Sequence, residues 1–171
     1  LGRVVSTTYP DALGLGAVVL STNYDPASGE PLVVNLDGKA LWELRDQDAR
    51  GAPREERLGS GSWGVIDRLS EYTAGGRLES LTSISGTTVL QDLHYGYSTR
   101  GLLEQRDDGL AGRTETFEHD ALSRLTTVRE GGAARETYTS DVIGNLVSTH
   151  EGSVLYEDPS RPYAATEARG E

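Results

Sequence analysis

The 171 residues contain no cysteine and no methionine, one lysine (Lys39) and one phenylalanine (Phe117). No apolar run approaches the roughly 20 residues that cross a bilayer as a helix. Without cysteine there is neither a disulfide scaffold nor a Cys-based zinc site, a composition that fits either redox compartment. With no methionine anywhere, Leu1 reads as an internal position, and the expectation is a piece of a longer chain. A single lysine, arginines scattered one at a time and a formal net charge of −11 exclude phosphate-driven nucleic-acid binding and a basic membrane-surface patch.

Oil is thin as well. Val, Ile, Leu and Phe make up 37 of the 171 residues, just above the level at which a strongly charged chain stays disordered. A dense, wide core is therefore not expected. What the chain has in quantity is glycine, 21 in all, and the glycines fall in a pattern.

Tyr72-Thr-Ala-Gly-Gly76-Arg77-Leu78 and Tyr97-Ser-Thr-Arg-Gly101-Leu102-Leu103 share one frame: Tyr, three residues, Gly, one residue, Leu. The frame continues through His119-Asp120-Ala-Leu-Ser123-Arg124-Leu125 and Ser140-Asp141-Val-Ile-Gly144-Asn145-Leu146. Upstream, Gly2-Arg3-Val4 is the tail of a copy, Tyr24 to Gly29 a copy with one inserted residue, and Asp48-Ala-Arg-Gly51 a degraded one. Anchors near 2, 29, 51, 76, 101, 123 and 144 make about seven units over residues 1–157, a repeat array in which one unit spans two short strands.

Segments such as Arg113 to Asp120, Arg124 to Glu130, Arg135 to Asp141 and Asn145 to Glu151 are short, rich in Thr, Val, Leu and Tyr, and bounded by turn formers. Asp37-Gly38, Gly131-Gly132 and Asp107-Asp108-Gly109 are expected to supply the positive-φ positions of tight hairpins. The fold class that follows is all-β, an array of antiparallel hairpins in a curved sheet. Alternation within strands is weak, as in Thr114-Glu-Thr-Phe-Glu-His119, so both faces are expected to carry substantial polar surface.

Candidate chemistry is sparse. His94, His119 and His150 have no metal-ligand spacing, and Asp37 and Asp108 belong to no twelve-residue calcium loop. Adjacent Asp107 and Asp108 would point to opposite faces of a strand, unlike a glycosidase pair. Gly59-Ser60-Gly61-Ser62 has no helix to complete a nucleophile elbow. Neither cofactor nor catalytic residue is expected, and the chain reads as non-enzymatic. Tyr24, Tyr72, Tyr97 and Tyr138 read as structural rings and Gly76, Gly101 and Gly144 as turn glycines.

The four units from Tyr72 to Leu146 resemble YD repeats of the Rhs family, whose common form is Tyr-Asp-x-x-Gly-Arg-Leu. The link from Trp42 to Gly61 is similar to an inter-repeat passage of bacterial YD-repeat proteins. Tyr156 to Thr166, with Arg161-Pro162-Tyr163-Ala164, is similar to the stretch leading into the Rhs core region, so residues 158–171 read as a loop toward a core region outside this chain. Here His119 and Ser140 stand in place of the signature Tyr, Ser123 in place of Gly, and Ser98 in place of Asp. The resemblance implies a segment of a spiral β-shell, as in bacterial Rhs toxins, Tc toxin cocoon subunits and teneurins. In the bacterial proteins such a shell encloses a C-terminal toxic polypeptide. Implied partners are the rest of the parent chain and a secretion or delivery apparatus, with a secreted or cell-surface parent. The repeat-motif residues are then Tyr24, Gly29, Gly51, Tyr72, Gly76, Arg77, Leu78, Tyr97, Gly101, Leu103, His119, Asp120, Arg124, Leu125, Asp141, Gly144 and Leu146. An alternative function is a cell-surface module binding carbohydrate or a partner cell, with Trp42 and Trp63 as its aromatic platform.

Overall fold

The computed structural model describes residues 2–11, 14, 16–61 and 64–170. Its contacts divide the chain into two units, Leu1–Leu93 and His94–Glu171. The first holds β1 (Ser6–Tyr9), β2 (Val18–Tyr24), β3 (Pro31–Leu36), β4 (Lys39–Gln47), β5 (Pro53–Leu58), β6 (Ile66–Tyr72), β7 (Leu78–Ser85) and the opening residues of β8 (Thr88–Tyr97). The second holds the close of β8 followed by β9 (Leu103–Asp108), β10 (Arg113–His119), β11 (Leu125–Glu130), β12 (Ala133–Ser140), β13 (Leu146–Thr149), β14 (Gly152–Leu155) and β15 (Glu167–Gly170). No α-helix occurs among the described residues.

Within each unit every strand lies antiparallel to its sequence neighbours, so each is an open meander of hairpins. This is the all-β hairpin array that the repeat frame predicts. The fifteenth strand, β15, pairs with β14 through Leu155↔Glu167 and Gly152↔Gly170, inside the stretch that reads as a loop from sequence.

The hairpins close in two ways. One set of turns is short: Asp37 and Gly38 have φ of 48° and 76°, and Gly131 and Gly132 have 58° and 87°, as two-residue hairpin turns require. The Asp107-Asp108-Gly109 expectation is corrected. Both aspartates end β9, and the positive φ of that turn falls three residues later, at Gly112 (62°). Asp108 accepts the amide of Ala111 at 2.9 Å, within a turn that runs over residues 109–112.

Neither unit has a core in the usual sense. Among the described residues Val128 is the only buried hydrophobic side chain, joined by buried Ser70, Ser80, Ser83 and Asn145. The chain exposes 11299 Å², where a compact monomer of 18.4 kDa exposes about 8,200 Å². Strand-to-strand hydrogen bonds and cross-strand side-chain pairs must therefore carry most of what interior packing supplies elsewhere.

The faces of the two units differ. In the first, cross-strand pairs Val34↔Trp42, Trp42↔Leu58 and Leu58↔Ile66 form an unbroken apolar row over β3 to β6. Leu20 and Leu36 pair beside it, and Leu44 and Leu81 share its face. The opposite face carries Glu43, Arg57 and Asp67, joined at Arg57–Asp67 by contacts of 2.7 and 2.9 Å. Arg57 holds the Asp67 carboxyl below its ordinary range. The row takes a single residue from each strand, which leaves little trace in local alternation. The expectation of substantial polar surface on both faces holds in this unit, where Glu56, Arg68, Ser70 and Ser83 share the face of the row. It holds in the second unit too, where one face bears the ion pairs of Arg106, Glu115, Arg135 and Glu130 and the other a threonine-rich field that includes Thr114, Thr116, Thr127, Thr137 and Thr139.

Candidate functional site

The repeat frame maps onto the second set of turns, and these share one design. In five of them the first residue's amide donates to the carbonyl four residues on: Asp48 to Ala52, Thr73 to Arg77, Ser98 to Leu102, Asp120 to Arg124 and Asp141 to Asn145, all at 2.9 Å. The fourth residue's amide donates back to the first residue's carbonyl, from Gly51, Gly76, Gly101, Ser123 and Gly144, at 2.8 to 3.2 Å. That is a type I turn closed by a left-handed residue with a bulge, a common hairpin connection. The left-handed residue has φ of 83° at Gly51, 80° at Gly76 and Gly101, and 99° at Gly144. Ser123 adopts 67° despite its Cβ. The degraded copy at Asp48 to Gly51 folds like the others, and the copy at Asp25 takes up its inserted residue by bonding to Glu30 at 2.8 Å.

The same geometry explains the aspartate. Its Oδ1 accepts two amides across the turn: Arg50 and Ala52 at Asp48 (2.8 and 3.0 Å), Leu122 and Arg124 at Asp120 (2.9 and 3.0 Å), Ile143 and Asn145 at Asp141 (3.0 and 2.9 Å). Thr73 and Ser98 do half of this with a hydroxyl, taking the amides of Arg77 and Leu102 at 3.1 and 3.0 Å. Hydrogen bonds to the charged form hold the carboxyls of Asp48 and Asp120 low. For Asp48 the Arg50 side chain leads, and for Asp120 the Arg124 amide; Asp25 is lowered chiefly by the Ser28 amide.

The Tyr and Leu of the frame are the residues that flank the bulge. Tyr72 stands opposite Leu78, His119 opposite Leu125 and Ser140 opposite Leu146. Tyr97 closes β8 and Leu103 opens β9 in the same way. The tyrosine hydroxyls tie one repeat to the previous one: Tyr24 donates to the Val4 carbonyl at 2.9 Å and Tyr72 to the Pro53 carbonyl at 2.8 Å. Tyr138, two positions ahead of its turn, bonds within its own strand to Glu136, which raises its pKa.

A second set of ties runs forward. Arg50 donates to the Ala74 carbonyl of the next turn at 3.2 Å, Arg124 to the Asp141 carbonyl at 3.1 Å, and Asn145 to the Pro162 carbonyl at 2.7 Å. Arg3 lies 5.4 Å from the centre of the Tyr24 ring. Glycine clears the way for this reach, since a Cβ on Gly29 or Gly76 would stand 1.7 Å from Arg3 or 2.7 Å from Arg50. The frame marks Arg124 by its Gly-Arg-Leu pattern. It does not mark Arg50, which sits before its glycine, nor Asn145, whose amide substitutes for a guanidinium.

Between successive turns lie shallow notches in matching places. One of about 470 Å³ is lined by Asp48, Arg50, Arg54, Tyr72 and Thr73. Another of about 370 Å³ is lined by Ser98, Arg100, Glu104, Phe117 and His119. In the first, Asp48 already holds the Arg50 guanidinium at 2.8 and 3.0 Å. No group of three His, Asp or Glu stands together among the described residues. Trp42 lies in the apolar row with its indole N–H bonded to Glu56 Oε1 at 2.7 Å. Trp63, the other half of the expected aromatic platform, lies outside the described residues.

Fold and ladder together define an open antiparallel hairpin repeat whose units are stitched through their turns. No family model matches the chain, and no curated protein matches it. Among solved structures it is similar to a chain of the "Crystal Structure of TcdB2-TccC3-Cdc42", at a TM-score of 0.33 and 17% identity. The similarity covers 86% of this chain and 8% of that one.

Proposed function

We propose that the chain is a structural wall segment of a YD-repeat shell, which keeps a passenger polypeptide enclosed within its parent protein. The observation that carries this reading is the turn ladder. Repeated hairpins are tied backward by Tyr24 and Tyr72 and forward by Arg50, Arg124 and Asn145, giving rigidity without an interior. An enzyme or a compact binding domain has no need of such a device, whereas a thin wall must hold its register with solvent or cargo on either side. Secretion or surface display of the parent belongs to the same reading.

The test is protection of the passenger. With residues 1–171 deleted from the parent, added protease should cleave a passenger that the intact parent shields. Equal protection with and without the segment overturns the reading.

A further inference from the structure

We propose that the second unit docks on the surface of a neutral, zwitterionic lipid bilayer through the tips of three turns, a contact that goes beyond the wall reading and does not rest on it. In each turn of the repeat frame the tip is formed by the second and third residues. In the first unit these are small or polar, Ala49 and Arg50 and then Ala74 and Gly75. In the second unit they become Leu122 and then Val142 and Ile143, and the connection from β14 to β15 adds Tyr163. These four side chains are 71%, 100%, 50% and 72% exposed, in that order. Apolar side chains so exposed add little to the fold, and a group of them marks a contact surface. All three connections leave the same end of the sheet. The Arg124 tie to the Asp141 carbonyl and the Asn145 tie to the Pro162 carbonyl, at 3.1 and 2.7 Å, hold them side by side.

Size and shape favour lipid over a protein partner. Neighbouring turns stand two strands apart, so three of them span about 20 Å along a layer about 10 Å thick. That edge presents about 200 Å², whereas a stable protein interface buries about 800 Å² on each partner. The four side chains project from turns rather than line a groove, and a fluid interface closes around such projections without a matched surface. The carboxyls at their bases are already engaged: Asp120 with Arg124 at 2.7 Å, Asp141 with Asn145 at 3.1 Å and Asp158 with Arg161 at 2.8 Å. Submerging the tips therefore strips water from no unpaired carboxylate among these three. Leu122, Val142 and Ile143 enter the acyl boundary, and Tyr163 sits at headgroup level, where tyrosine is enriched. The net charge of −11 sets the lipid class, because it is repelled by an anionic leaflet and indifferent to a zwitterionic one.

The test is flotation of the full chain with phosphatidylcholine vesicles up to millimolar lipid, with a parallel series rich in phosphatidylserine. Binding should be reversible and no stronger than that of a single acyl chain, and it should fall in the phosphatidylserine series. Val142→Asp and Leu122→Asp should each weaken it about tenfold, the loss of one buried aliphatic side chain. Ala74→Asp puts the same charge on a first-unit tip and should change it by less than about twofold. Val142→Trp should bind at least as well as the wild type and add a blue-shifted emission when phosphatidylcholine is present. That variant carries the test if an aspartate variant loses its β-sheet circular dichroism. A wild-type chain that stays out of the floated fraction at millimolar phosphatidylcholine overturns the proposal. So does binding that survives Val142→Asp, or binding that requires phosphatidylserine. A chain whose tips instead join it to a second copy, seen as a sedimenting mass that Val142→Asp halves and vesicles leave unchanged, overturns it as well.

Discussion

The first and second units share a turn and differ in what lies between the turns. Asp48 to Ala52 in one and Asp120 to Arg124 in the other close with the same backbone bonds, yet one sheet bears an apolar row and the other ion pairs and threonines. The shared part is therefore what sets strand register, since register follows the turn and its bulge. Face composition is left open for another use. The second unit sets Thr116, Thr127 and Thr137 on one face and the single apolar pair Phe117–Val128 on the other, and it folds without a row like that of Leu58 and Ile66.

That contrast breaks first at the glycines. Gly76→Val should destabilise the chain by about 2–3 kcal/mol, through left-handed strain at φ 80° and the loss of the Arg50 reach. Gly144→Val, in the second unit, should cost about 2 kcal/mol from strain alone, because nothing stands within 4 Å of its Cβ position. Chemical denaturation followed by circular dichroism measures both; equal costs would mean that the forward tie adds nothing. Next come the ties and the row. Tyr72→Phe removes the bond to the Pro53 carbonyl and should cost about 1 kcal/mol. Leu58→Thr should also cost about 1 kcal/mol, for a half-exposed side chain, and leave the sheet folded. If Leu58→Thr unfolds the first unit, the row is a core after all and the contrast fails. Ser123→Gly runs the other way, stabilising by about 0.5–1 kcal/mol once relief of strain at φ 67° is set against the freer unfolded chain.

Much of the ladder was legible because its chemistry is local. A turn of five residues with one left-handed position writes its glycine and its aspartate into consecutive letters, and even Asp48-Ala-Arg-Gly51 kept enough of them. The Tyr and Leu were legible as a spacing, and their meaning as partners across a bulge follows from Tyr72↔Leu78. The apolar row left no such trace. Val34, Trp42, Leu58 and Ile66 come from four strands, and bulges at Val34/Asn35 and beyond Leu44 shift the phase between them. A sheet face is a two-dimensional object, and a one-dimensional period records it only where strands are regular. The straps from Arg50 and Asn145 were hidden for a different reason: each reaches a backbone carbonyl, which any residue supplies.

The smallest expected effect separates turns within one unit rather than the units themselves. Asp25 and Asp48 have carboxyls held below the ordinary aspartate value of 3.8, and Asp120 in the second unit is lowered likewise. A carboxyl depressed in the folded state adds stability that is complete above its unfolded value and is lost as pH falls through its folded one. From neutral pH down to about 5 these turns should therefore hold steady, and they should loosen as the pH drops below 3.8. Thr73 and Ser98, which make the equivalent bond with a hydroxyl, have nothing to titrate. Amide exchange read residue by residue should show Ala52 and Arg124 losing protection in acid before Arg77 and Leu102 do. Replacing Asp48 by threonine should carry Ala52 into the insensitive group. If all four amides lose protection together in acid, the aspartates are not acting turn by turn, and the ladder responds to pH as one body.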